Sequence, residues 1–144
     1  MSYLPDDMPL PLATPDDAPY WQYCRERKLH IQRCGSCRTF RHPPMPLCAE
    51  CGSAAIEWTP VSGDGTIFSY TVAYHPTHPA LKSAVPYNIA VVMLDDAGDV
   101  RLVSNLVDAA PEEMRIGLPV TLTWEPTPDD GYLARFRKRD GDGR

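Results

Sequence analysis

From residue 66 onward the chain alternates between apolar and polar positions with a period of two, the spacing of half-buried β-strands. Phe68, Tyr70, Val72 and Tyr74 fall on one face of a strand over Thr66 to Tyr74, and this spacing predicts a core face. Ile89 to Leu94 is a continuous apolar run, as expected of a strand covered on both sides. Over Val100 to Val107, Val100, Leu102 and Leu106 point one way and Arg101 and Asn105 the other. Val120, Leu122 and Trp124 alternate with Thr121 and Thr123, and Tyr132, Ala134 and Phe136 with Leu133, Arg135 and Arg137. Asp95 to Asp99 and Thr127 to Gly131 read as hairpin turns, and Pro111 to Met114 as a single helical turn. Five or six short strands without a long helix between them point to a small closed barrel. The count and the one-turn helix fit a five-stranded Greek-key barrel of the OB type.

The first half of the chain has a different pattern. Four prolines in residues 1–15 block a helix and predict an extended arm. Asp16 or Asp17 supplies an N-cap for a helix over 19–28, with Pro19 in its first turn. Tyr20, Trp21 and Cys24 share one face, which Lys28 extends. Short strands over Leu29 to Gln32 and Ile56 to Val61 flank the stretch CGSCRTFRHPPMPLCAEC. The expected organisation is an arm at 1–18, helix and ribbon at 19–60, barrel at 61–138 and a frayed polar tail at 139–144. The fold class is mainly β: an N-terminal helix and four-cysteine zinc ribbon, then a five-stranded OB-fold barrel.

That central stretch carries the strongest chemical signal. Cys34 and Cys37 form one C-x-x-C knuckle and Cys48 and Cys51 another. Two facing knuckles make a tetrahedral four-thiolate cage, which suits a structural zinc and leaves no open coordination position for catalysis. Disulfides need an oxidising compartment, and nothing in the sequence exports the chain. A redox motif would need one C-x-x-C between a strand and a helix rather than two around a proline-rich loop. Cys24 reads as a buried or half-buried thiol and His42 as a loop histidine, because four sulfurs already complete the site.

Charge narrows the partners. The chain of 144 residues has a net charge of −5. Residues 20–51 sum to +4 and residues 134–144 to +3, whereas residues 52–133 sum to −8. An acidic barrel repels a polyanion, which counts against nucleic acid. The N-terminus has no basic region followed by a long apolar run, and no apolar stretch is long enough to span a membrane. The expected location is the cytoplasm.

No local motif such as G-x-S-x-G marks a nucleophile. His75 and His78, in YHPTHPAL, can bind a phosphate or polarise a carbonyl; the plainer reading is a proline-stiffened surface loop. Arg135, Arg137 and Lys138 offer guanidinium forks and an ammonium to a phosphate, and the plainer reading there is a solubilising last strand. Tyr20 and Trp21 are candidate partner anchors, because a ribbon this small cannot bury many large side chains alone.

The order of parts resembles the DUF35 family: PYW in a helix, LHIQRCGSC, a proline-rich loop, LCAEC, WTPVSGDGTIFSYTV, HP, VPYNIAVVMLDD, SNL and RIGLPV. The resemblance covers about residues 19 to 137. It implies a non-catalytic accessory subunit that binds acyl-CoA, or completes a CoA site, beside a thiolase-like enzyme of the lipid-transfer-protein type or a hot-dog-fold hydratase. The alternative from the parts alone is a nucleic-acid-binding ribbon and OB module. The basic ending ARFRKRDG and Cys24 depart from the family pattern.

Overall fold

A computed structural model describes residues 2–140. One helix and eight strands follow in order: α1 (Ala18–Arg25), β1 (His30–Cys34), β2 (Phe40–Arg41), β3 (Ile56–Pro60), β4 (Asp64–Ala73), β5 (Tyr87–Leu94), β6 (Arg101–Ser104), β7 (Pro119–Pro126) and β8 (Tyr132–Lys138). The ribbon is a three-stranded antiparallel sheet in the order β2-β1-β3, and the second sheet runs β6-β5-β4-β7-β8. The second sheet curls into the half-barrel of an OB-fold. β8 returns toward β6, where Leu106 and Phe136 form a parallel bridge and Ser104 Oγ donates to the Ala134 carbonyl at 2.6 Å.

One core runs through both halves. Tyr20, Cys24, Leu29 and Ile31 from the helix and ribbon join Ile67, Val92, Leu102, Leu106, Val120 and Phe136 from the barrel. Burying aliphatic and aromatic side chains of this size stabilises the fold by about 1.5–3 kcal/mol each. The ribbon is therefore anchored to the barrel through Leu29 and Ile31, not only through its cysteines.

Several local expectations change. The helix stops at Arg25, and Arg27 turns left-handed at φ 57. Lys28 therefore leaves the helical face, its amide bonding the Tyr23 carbonyl at 3.0 Å. Asp17 sits at the N-cap but does not cap. Its carboxylate accepts from the Thr14 amide at 2.6 Å and the Thr14 hydroxyl at 3.0 Å, tying the arm to the helix start. The predicted core face of Phe68, Tyr70 and Tyr74 is not one: all three are exposed. A β-bulge between Ile67 and Ser69 sets two residues against one on β5, and after it Tyr70 and Val72 stand opposite the buried Ala90 and Asn88. Beyond it, β4 also runs past its pairing with β7, which covers only Asp64–Thr66. Asn105 is buried instead of sharing a face with Arg101, because the chain leaves β6 at Ser104. β5 is covered on its inner side, while Ile89, Val91 and Met93 are half-buried on the other. Arg139 is docked, its amide bonding the Pro119 carbonyl and its guanidinium pairing with Asp64 and Asp95. Residues 141–144 of the expected tail lie outside the described residues.

Gly65 is required where β4 pairs closely with β5. A Cβ there would lie 2.4 Å from the Met93 carbonyl oxygen, a backbone atom that cannot swing away. Gly65→Ala is expected to destabilise the chain by about 2 kcal/mol or more, as overpacking does. Gly117 has open space around it and only a left-handed φ of 87, so Gly117→Ala should cost about 1 kcal/mol. Urea unfolding of the two variants checks the order.

Candidate metal centre and ligand-facing surfaces

β1 delivers Cys34 at its end, and the two knuckles fold toward each other. Cys34 Sγ lies 3.6 Å from Cys51 Sγ and Cys37 Sγ 3.6 Å from Cys48 Sγ, and all four sulfurs lie within 4.8 Å of one another. Zinc bonded to four thiolates at about 2.3 Å sets its sulfurs about 3.8 Å apart in a tetrahedron, so the cage fits the ion. The knuckles share a geometry. The Arg38 amide bonds the Cys34 carbonyl at 3.0 Å, and the Gly52 amide bonds the Cys48 carbonyl at 2.9 Å. Arg38 and Gly52 are both left-handed. The amides of Cys37 and Ser36 donate to Cys34 Sγ at 3.4 Å each, and the Cys37 donor leads in drawing the Cys34 thiol down to about 6. Cys24 belongs to the core instead, where burial pushes its thiol up to about 11.

The basic ending is partly spent inside the chain. Arg135 and Arg137 lie on one face, opposite Thr123 and Thr121. Arg135 is not free: its side chain is 12% exposed and pairs with the 11%-exposed Glu125 at 3.3 Å. Its other nitrogen donates to Asn105 Oδ1 at 2.6 Å. Lys138 Nζ reaches Glu113 at 2.6 Å, which raises its ammonium above the usual range, chiefly through that hydrogen bond. Arg137 is exposed and has no ion-pair partner among the described residues. Sequence patterning also gave no sign of what lies around Arg135. Asn88 donates through Nδ2 to the Leu106 carbonyl and accepts from the Leu106 amide, and Asn105 Nδ2 donates to the Asn88 carbonyl. Tyr3 closes the network from the far end of the arm. Its hydroxyl accepts from the Asn88 amide and side chain at 2.9 and 2.8 Å, and its amide donates to Glu125 at 2.7 Å.

The helix aromatics also turn inward. Tyr20 is 7% exposed and lies in the core, and Trp21 packs half-buried against it. Tyr20 meets the His42 ring at 5.2 Å, and burial lowers the His42 imidazole below its ordinary value. A cleft of about 450 Å³ opens between the helix, the loop after His42 and the barrel strands β6 and β8. Trp21, Pro43, Pro44, Leu102, Val103 and Arg135 are among its walls. His75 and His78 lie elsewhere, on the β4–β5 connection. His75 is exposed, and His78 Nδ1 accepts from the Ala80 amide at 3.2 Å, capping a short 3-10 turn at Pro79–Ser83. The structure thus gathers the four cysteines and places the histidines on a different element from Arg135 and Arg137.

Two family models match the chain: the rubredoxin-like zinc ribbon domain of ChsH2 over residues 21–57 and its C-terminal OB-fold domain over residues 58–125. A DUF35 domain-containing scaffold protein of Pyrococcus furiosus is 33% identical, with the match covering 72% of this chain and 74% of that protein. The chain belongs to the DUF35 family. Its ribbon is a rubredoxin-like zinc ribbon, and Cys34, Cys37, Cys48 and Cys51 are the residues suited to hold the zinc. The probable enoyl-CoA hydratase alpha subunit of Thermomonospora curvata is 42% identical over 90% of this chain. The 3-oxo-4,17-pregnadiene-20-carboxyl-CoA hydratase alpha subunit of Mycobacterium tuberculosis is 36% identical over 87%. The chain spans only 39% of the length of either hydratase subunit. A solved chain described as Ltp2-ChsH2(DUF35) aldolase superposes with a TM-score of 0.81 at 41% identity, covering 90% of this chain and 98% of that one.

Elemental analysis of the purified DUF35 protein is expected to give one zinc per chain, retained through dialysis against a weak chelator. Cys24→Ser should leave that content unchanged. Cys48→Ser should lose the metal and unfold the ribbon, because binding to such a cage is folding free energy of about 10 kcal/mol or more.

Proposed function

We propose that this DUF35 chain is a non-catalytic accessory subunit in acyl-CoA metabolism, which assembles with a thiolase-like enzyme of the lipid-transfer-protein type and completes its acyl-CoA site. The observation that carries this reading is the superposition on 98% of the chain from the Ltp2-ChsH2(DUF35) aldolase. The two hydratase alpha subunits keep a hydratase in view as the partner enzyme. The site chemistry agrees with a supporting role. Four thiolates would close the zinc, leaving no coordination position to polarise a substrate. Among the described residues, no serine or cysteine is hydrogen-bonded to a histidine that would activate it. The acidic barrel also opposes a polyanion, although Phe68, Tyr70 and Tyr74 are exposed rather than packed in a core.

In this reading Arg137 is the phosphate-facing cation, with Lys138 beside it and Arg135 a neutralised neighbour that shapes the wall. His75 and His78 take a lesser part, being on the other connection. Arg137→Ala should leave the fold intact and weaken CoA binding to the assembled complex, more so at low salt. Arg135→Ala should destabilise the chain itself by about 3 kcal/mol, because it strands the half-buried Glu125 carboxylate. Titration of CoA and urea unfolding separate the two effects.

The decisive experiment is coexpression of the chain with the lipid-transfer-protein-type enzyme of its host, with a hydratase subunit in parallel. A stable complex that turns over acyl-CoA, with no turnover by the chain alone, is the expected result. Acyl-CoA cleavage or hydration by the isolated chain, abolished by one substitution in it, overturns the reading.

A further inference from the structure

β4 and β5 outrun the barrel. β4 pairs with β7 only over Asp64–Thr66, and β5 pairs with β6 only over Ala90–Met93. Beyond those rungs, Thr71–Ala73 and Tyr87–Ile89 pair only with each other. A bare two-stranded hairpin is marginal in water, but this one is braced. Leu81 and Tyr87 are both buried, outside the main core cluster. The connection between the strands folds as a 3-10 turn capped by His78. On its β5 strand, Asn88 is clamped by Tyr3 and Leu106. The result is a preformed projection rather than a loose loop.

Its surface is unlike the rest of the barrel. Tyr74, just past the last rung, is 70% exposed, and Tyr70, on the rung where the projection begins, 38%. Phe68, 43% exposed at the root, lies under the Arg101 guanidinium at 3.8 Å. From Gly65 to Leu94 there is no aspartate or glutamate, although the whole chain carries 19. The same stretch holds Lys82, His75 and His78. Exposed tyrosines on a rigid support are favoured interface anchors, because little side-chain entropy is lost when they are covered. Of the helix aromatics, Tyr20 is buried in the core and Trp21 is half-buried against it.

We propose that the β4–β5 projection is the arm by which this chain docks on its enzyme partner, with Tyr70 and Tyr74 entering an apolar hollow whose rim is acidic. The proposal rests on the accessory-subunit reading above and says which surface makes the contact. Charge selects the partner. A second copy of this chain would set two acid-free, lysine-bearing faces against each other. A nucleic acid would meet one lysine here and the acidic barrel around it. An enzyme surface with acidic groups facing Lys82 and His75 suits both the aromatic residues and the charge.

The test measures affinity of the full chain for the thiolase-like and hydratase subunits used in the coexpression, with thermal melting of each variant. Tyr74→Ala should bind at least tenfold more weakly with an unchanged melting temperature, and Tyr70→Ala/Tyr74→Ala more weakly still. Lys82→Glu should weaken binding more at about 50 mM salt than at about 500 mM. Ile116→Ala, which removes an equally exposed apolar residue elsewhere, should bind like wild type. If wild type binds a subunit and the tyrosine variants bind as tightly, the docking arm is overturned and the accessory reading survives. If wild type binds neither subunit, both fall. Self-association of the chain, or binding of free coenzyme A or of an oligothymidylate, that Tyr74→Ala abolishes would give the projection another occupant and overturn the proposal.

Discussion

Four thiolates held within 4.8 Å of one another are tolerable only around a cation. Much of the first half of the chain depends on that constraint. The ribbon strands are short, five, two and five residues, and would not hold the loop between the knuckles by themselves. With the cage closed, that loop becomes a defined wall. Gln32, fully buried on β1, accepts from Arg41 at 2.5 Å and from the Met45 amide at 2.8 Å. This fixes the path through His42 to the buried Pro44. The same strand carries Ile31 into the common core. The metal's influence is therefore not confined to the ribbon; it reaches one side of the cleft and the floor under the helix.

A second constraint governs the other side. Arg135 enters a half-buried place on the barrel and must be compensated there, since an unpaired buried charge costs several kcal/mol. Glu125, Asn105, Asn88 and the arm through Tyr3 supply that compensation. One ionic requirement thus recruits β5, the segment after β6, β7, β8 and the N-terminal arm into one arrangement. A residue that looks like a free ligand anchor in sequence is a structural keystone, and its neighbour Arg137 keeps the exposed charge.

What was legible in the sequence was local. The spacing of the cysteines named the cage, and period-two alternation placed β7 and β8 with Phe136 inward. Aspartate and glycine marked the turns at residues 95–99 and 127–131. What was not legible required a partner distant along the chain. The bulge at Phe68 has no residue signature, yet it shifts the register of everything after it on β4 by one residue. The partners of Arg135 lie 10 and 30 residues away, and Tyr3 meets Glu125 across 122 residues. The family resemblance supplied the order of domains, but it carried no information on which aromatic residues the helix would keep for itself.

The closure of the barrel by its last strand bears on how the protein is made. Phe136 fills the core, and its backbone bonds Asn105 and Val107 across the seam. The core therefore cannot close until about residue 138 has left the ribosome, whereas β1, β2, β3 and all four cysteines emerge some eighty residues earlier. At the usual pace of synthesis, roughly 5–20 residues each second, the ribbon has several seconds to capture its ion while the strands that will cover Leu29 and Ile31 are still being assembled. A nascent chain in a zinc-starved cell would expose free thiols and an open apolar surface together during that interval, which makes ion supply during translation, rather than afterwards, the point at which its yield is decided.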